Sequence, residues 1–265
     1  MKHSLILILL LGFKLTAFGQ QPEYPDSGFT IKVEAKNLTI NGLKEGKWIE
    51  YLDDLEKITS FEKARFYQLI TYKANQPYGI NRIYIMKGKF SGRLIEIIPY
   101  TNGQKNGIEI SYDTIGKLVC EEPWADGKFN GLFKWYYQNG KTMRETPYAD
   151  DKINGVEKIY YENGKLRSEE QFSNDTVIGV SKTFYENGQI RSEDPYVNGK
   201  RNGIEKFYHE SGEIWTETPV INDKANGMEK EYYENGKLKS ETTFRDDVQI
   251  GKTKYYDING NEIKQ

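Results

Sequence analysis

The sequence predicts an all-β protein built as an elongated array of stacked antiparallel β-hairpins, roughly nine units long. Three observations predict it. Glycine recurs every 24 residues at Gly107, Gly131, Gly155, Gly179, Gly203, Gly227 and Gly251, and a second glycine follows nine later each time, from Gly116 to Gly260. Two further columns keep the same phase: a glutamate 14 after the first glycine (Glu121, Glu145, Glu169, Glu193, Glu217, Glu241) and an aromatic five after it, from Tyr112 to Tyr256. A fixed period of this length marks a repeat architecture. Finally, Asn163-Gly164, Asn187-Gly188 and Asn235-Gly236 sit between strand-like runs. Asn-Gly is the strongest short-range hairpin signal, and glycine this frequent disfavours a helix.

Composition narrows the function classes. The chain has 265 residues, of which 29% are charged and 37% hydrophobic. Such polarity suits disorder, but 20 Tyr, 12 Phe and 4 Trp supply the apolar area a disordered chain lacks. A net charge of −2 leaves no basic footprint for nucleic acid. Cys120 is the only cysteine, and His3 and His209 the only histidines. These exclude an intrachain disulfide and a Cys/His zinc site; no metal or cofactor is expected.

Taken in order, residues 1–19 read as a secretory signal peptide. Lys2 and His3 precede an apolar run, Ser4–Phe13, and Ala17-Phe18-Gly19 offers small residues for cleavage. The run is too short to span a bilayer, which takes about 20 residues, and no later stretch is transmembrane. Removing Lys2 and Lys14 with this segment leaves 35 basic and 39 acidic residues, a charge of −4. Residues 20–45 form a linker and N-terminal cap, with strands expected at Phe29–Val33 and Asn37–Ile40. Residues 46–106 hold two irregular repeats. The first opens at Gly46 and returns at Phe66–Tyr72 after an insertion, Asp53–Ala64, read as a brief helix; the second runs from Gly79 past a turn at Gly88 to Tyr100. Residues 107–265 are the regular repeats.

Each regular unit is expected to turn at Asn-Gly in a two-residue type I′ loop, with Asp126-Gly127, Asn198-Gly199 and their Asn-Asp or Asp-Asp equivalents linking one hairpin to the next. That register sets Glu162 opposite Lys165 and Lys158 opposite Glu169, and likewise Lys134–Glu145, Lys182–Glu193, Lys206–Glu217 and Lys230–Glu241. The glutamate column becomes a set of cross-strand ion pairs, each contributing ~0.2–1 kcal/mol. Ile110 opposite Glu121 breaks the pattern. Reversing Lys158 and Glu169 together should then restore what either single reversal loses. Strand parity puts Tyr160 and Tyr161 on opposite faces, so stacked repeats carry aromatic ladders on both faces, with a further one through Trp124, Tyr148, Phe172, Tyr196 and Phe244. Two strands per unit advance the array by roughly 10 Å, and nine units by roughly 80–90 Å.

The unit Tyr160-Tyr161-Glu162-Asn163-Gly164-Lys165-Leu166-Arg167-Ser168-Glu169 resembles the MORN repeat, and most closely its bacterial variant. The resemblance is strong over 107–260 and weak over 46–103. It implies a single elongated sheet of hairpins. It also implies a protein-binding, dimerising or lipid-associated scaffold, or the antitoxin member of a toxin–antitoxin pair; export argues against the last.

Catalytic chemistry is not expected. The glutamate column could be read as the paired carboxylates of a glycosidase, but a catalytic pair breaks a repeat's symmetry instead of recurring in every unit. Cys120 occupies the position of Ser168, Ser192 and Ser240 and has no histidine near it in sequence. The chain is therefore expected to be an exported, non-enzymatic scaffold for another protein, with a glycan or phospholipid surface, or a toxin, as the alternative partners. The candidate partner-binding residues are Asp53, Asp54 and Glu56 in the insertion, the second aromatics Tyr137, Tyr161, Tyr185 and Tyr233, and His209 with Trp215, where a histidine replaces that tyrosine.

Overall fold

A computed structural model describes residues 28–263; the expected leader and most of the linker lie outside them. The chain runs as one antiparallel meander. Strands β1 (Leu38–Ile40), β2 (Leu43–Leu52), β3 (Phe66–Lys73), β4 (Gln76–Ile85) and β5 (Leu94–Thr101) pair in succession. In the six units from Gly107 to Arg245 an outgoing strand pairs with an eight-residue return strand, as Gly155–Tyr160 with Leu166–Ser173, and each of these return strands also pairs with the next outgoing one; the last hairpin closes on the two-residue Glu262–Ile263. The described residues hold nine such hairpins, in agreement with the expected array. One sheet is nearly the whole molecule, so most side chains are only half-buried.

The register matches the expectation, but the turn does not. Lys158 lies opposite Glu169. Yet the tip is a three-residue loop, Glu162-Asn163-Gly164. The Gly164 N–H donates to the Tyr161 carbonyl at 2.8 Å, and the Tyr161 N–H to Lys165 at 2.8 Å. Gly164 alone takes a positive φ, 90°, so this is a type I turn closed by a left-handed glycine. Glu162 therefore does not face Lys165. A bulge at Arg167, where the register shifts between Ile159 and Tyr160, cancels the longer loop and restores the pairing. The type I′ geometry instead appears at the linking turns, where Asp150-Asp151 has φ 50° and 67° and Asn174-Asp175 has 48° and 65°. Asp and Asn tolerate that region.

The lysines and glutamates make one continuous row. From Glu145 on, each Glu faces the lysine of its own hairpin and that of the next: Lys158 sits between Glu145 and Glu169, and Glu169 between Lys158 and Lys182. The row alternates in sign over 12 strands, from Glu121 to Lys254. Two of the expected pairs, Lys182–Glu193 and Lys206–Glu217, are in contact, each at 3.3 Å. This changes the charge-reversal expectation. Lys158→Glu with Glu169→Lys places Glu145 beside a new carboxylate and Lys182 beside a new ammonium. The double variant should melt no higher than the better single variant; full recovery would mean isolated pairs.

At its start the same row is apolar apart from Arg82, running Ile49, Leu69, Arg82, Ile97, Ile110. Here the N-terminal segment covers the sheet. Phe29 packs on Tyr67 and the fully buried Leu69. The expected strand at Phe29–Val33 is not formed. Phe29 is held by this core and the chain then coils through a 3₁₀ turn, Lys32–Glu34, so the cap lies on a face of the sheet; only β1 pairs along its edge. The insertion also differs from the expected helix. Asp53 accepts the N–H groups of Leu55 and Lys57, Leu52 bridges Ile58, and one helical turn at Ser60–Ala64 stops where the Arg65 N–H returns to Leu52.

Proline punctuates the joins between units. Asn154 donates to the Pro147 carbonyl at 2.9 Å, and Gly155 crosses the proline at φ 126°. Pro123, Pro195 and Pro219 sit against Gly131, Gly203 and Gly227 in the same way. Proline cannot donate to the ladder, so the following strand is interrupted. Where Gln171 replaces it, Gln171 pairs with Ile178 and strand Thr176–Phe184 runs unbroken.

Candidate functional site

The second aromatics are braces between repeats. The Tyr137 hydroxyl donates to the Tyr160 carbonyl, Tyr161 to Phe184 and Tyr185 to Tyr208, each at 2.6 Å, and Tyr233 to Tyr256 at 2.9 Å. His209 Nε2 reaches the Tyr232 carbonyl at 3.3 Å. His209 thus does a tyrosine's work. Trp215 lies tilted against it with ring centroids 5.8 Å apart, but Trp215 occupies the bulge position, and Arg167 lies over Tyr161 and Arg191 over Tyr185 at 5.9 Å. The His209–Trp215 contact is the local form of a contact made in other repeats.

The first aromatics have a second role the columns did not reveal. Tyr136, Tyr160, Tyr208, Tyr232 and Tyr256 each donate to the glutamate of the preceding unit at 2.8–3.0 Å. Burial, reinforced by that carboxylate, pushes the Tyr160, Tyr208 and Tyr232 hydroxyls up to about 12. Ring contact is concentrated instead around Phe129 and Phe133, with Trp124, Trp135 and Tyr148. The aromatic columns therefore act as hydrogen-bonding staples more than as continuous stacks.

Five segments, residues 129–150, 153–174, 178–198, 201–222 and 225–246, match the model of the MORN repeat variant. Residues 129–246 carry MORN-variant repeats. No curated protein shows a significant match to it.

The repeat units carry an unexpected row of carboxylates on the face opposite the ladder. Glu109, Glu157, Glu205 and Glu229 stand two residues after the first glycine of their units. Their spacing is visible in sequence, but their burial is not. Glu157 accepts from Arg144 Nε at 3.0 Å and from the Thr146 hydroxyl at 2.8 Å. Burial, then the hydrogen bond and charge of Glu109, raises the Glu96 carboxyl to about 8. Burial, then Asp194, raises Glu205 to about 7. Cys120 is buried beside Glu122, with its thiol raised to about 11, chiefly by burial. Among the described residues no cluster of three His, Cys, Asp or Glu is placed to hold a metal ion. No described helix is long and apolar enough to cross a membrane.

The insertion is the main departure from the MORN pattern. Asp53 is half-buried and spends its carboxylate on its own turn; Asp54 pairs with Arg65 at 3.0 Å; Glu56 sits in the left-handed region at φ 56°. Besides the charged side chains of Asp54, Glu56, Lys57, Glu62 and Lys63, the insertion also presents apolar ones outward. Leu55 is 73% exposed, Ile58 65% and Phe61 56%, with Phe61 edge-on to Tyr51 at 5.2 Å. Charge drew attention to this segment in the sequence; its exposed apolar side chains are the feature it missed.

Proposed function

We propose that this MORN-repeat array is an exported, non-catalytic scaffold that binds another protein, and that the partner docks at the 53–64 insertion. The carrying observation is the exposure of Leu55, Ile58 and Phe61 together on a loop set on a rigid sheet. Exposed apolar groups gathered on a loop mark interaction sites. Export rests on the leader read in residues 1–19. A non-catalytic role is supported by the glutamate column, whose carboxylates are engaged by lysines and tyrosines along the array.

The test is capture from the native cell envelope by the purified chain and by a Leu55→Asp/Ile58→Asp variant, with liposome and polysaccharide co-sedimentation alongside. We expect a protein retained by the parent chain and lost by the variant. Equal retention by both overturns the docking site. Sedimentation with glycan or lipid and no captured protein overturns the protein partner. A captured toxin neutralised by the chain would make it an immunity protein.

A further inference from the structure

The first regular unit breaks the tyrosine–glutamate pattern. Tyr136, Tyr160, Tyr208, Tyr232 and Tyr256 each donate to a glutamate 15 residues earlier. Fifteen residues before Tyr112 stands Ile97, which offers its hydroxyl no acceptor. Tyr84 meets Leu69 at the same spacing, but its ring is stacked on Tyr67 at 5.0 Å and closed into the core under Phe29. Tyr112 has no such cover. Beside it the tip position held by Lys117, Lys141 and Lys165 carries an arginine, Arg93. Those lysines donate to carbonyls of the next tip, Gln138, Asn163 and Glu186. The Arg93 guanidinium instead lies against Gly116 and over the Phe90 ring at 5.3 Å, and among the described residues no carboxylate pairs with it. The acid of that tip, Asp113, is spent on the N–H groups of Ile115 and Lys117 and on Gln138. Arg93, Leu94, Tyr112 and Gly116 line a concavity of about 310 Å³, at the small end of the range for ligand sites.

We propose that this concavity binds a carboxylate carried on a short apolar stem, which takes the place of the glutamate that other units supply themselves. The Arg93 guanidinium is a planar fork suited to a carboxylate's two oxygens, and stacking on Phe90 favours one plane for it. The Tyr112 hydroxyl donates as its counterparts do to their glutamates. Leu94 and the Tyr112 ring face the stem. The carboxylate has two possible sources, a free organic acid or an acidic side chain of a bound protein. The second is within reach of the insertion, because the tip loop packs on it: the Met86 N–H donates to the Arg65 carbonyl at 2.8 Å, and Lys87 Nζ to that of Glu62.

Titration of the ¹⁵N-labelled chain with 3-phenylpropionate, followed at the Gly116 amide, tests this. A saturable shift is expected, with a Kd of about 1 mM or tighter, and none with the uncharged 3-phenylpropionamide. Arg93→Gln, at a half-exposed position, should weaken binding about tenfold or more, and Tyr112→Phe about threefold or more. Ile97→Glu restores the column's carboxylate, with Arg82 opposite to balance its charge; it should accept from Tyr112 and weaken the probe about tenfold. A probe that binds no better than its amide, or whose binding Arg93→Gln leaves unchanged, overturns the proposal, as does a site that answers to inorganic phosphate and not to the probe. Envelope capture by Arg93→Gln separates the two sources. Loss of a protein that the parent chain retains assigns the carboxylate to that partner's side chain; unchanged capture, with the probe still bound by the parent, assigns it to a free acid. Leu55→Asp/Ile58→Asp should leave the probe bound, so failure of the docking site at the insertion and failure of this one are told apart.

Discussion

Replacing Gly155 with alanine should destabilise the array by about 3 kcal/mol, through backbone strain and collision together. Gly155 holds φ 126°, and a Cβ there would lie 2.8 Å from Pro147 Cγ. Neither partner can yield easily, since the proline ring is rigid and Asn154 is tied to the Pro147 carbonyl. Gly179 is the internal control. It holds the same repeat position, but Gln171 stands where the proline would be, its φ is 72°, and nothing lies within 4 Å of its Cβ site. Gly179→Ala should cost only about 1 kcal/mol, the left-handed penalty alone. Urea unfolding of both variants measures this, and equal losses would show that the proline does not set the constraint. Pro147→Gln added to Gly155→Ala should recover part of the loss by letting the ladder close as it does at Gln171.

The second large effect is on pH. Glu96 and Glu205 are raised from 4.5 to about 8 and about 7, and Glu122 and Glu170 are also raised, chiefly by burial. Around Glu96 stand Glu109, Glu56 and Lys105; the two carboxylates push its pKa up and the ammonium pulls it down. A carboxyl with a raised pKa binds its proton more tightly in the folded chain, so between pH 4.5 and 8 the native state holds more protons than the unfolded one. Stability therefore falls as pH rises through that window. Groups held low, such as Glu193 beside Tyr208 and Lys182, act in the opposite sense, and their contribution is lost only below about pH 4.5. Thermal melts should thus show higher stability near pH 5 than near pH 8, by about 2 kcal/mol or more. Glu96→Gln should flatten the slope and raise the melt at pH 8. A melt that rises steadily from pH 5 to 8 would contradict the buried-carboxyl reading.

Much of the array is legible in the sequence because its signals are local and repeated. Parity and period place Lys158 opposite Glu169 even though the tip turn differs from the Asn-Gly expectation. The three-residue loop and the Arg167 bulge each shift the register by one, and together they cancel. The columns of Tyr137, Tyr161, Tyr185 and Tyr233 are equally plain, but their reach to a carbonyl 23 residues away depends on how adjacent hairpins abut. Asp53 and Asp54 look available in the sequence because charge suggests exposure; in the fold the first is committed to its own turn, while the second stays exposed in a surface pair with Arg65.

The sequence by itself determined the hairpin unit, its 24-residue repeat and the cross-strand partners within each hairpin. These follow from turn chemistry and the two-residue period of a strand, which act over a few residues. Only the tertiary structure decided what lies between hairpins: that the charges form one alternating row, that tyrosines staple five of the six column glutamates to the next unit, that Phe29 folds onto Leu69, and that Glu96 and Glu205 share buried ground with other carboxylates. Those contacts join residues from different hairpins or from opposite ends of a loop. Their strength depends on how much water the neighbouring strands exclude, which no single repeat specifies.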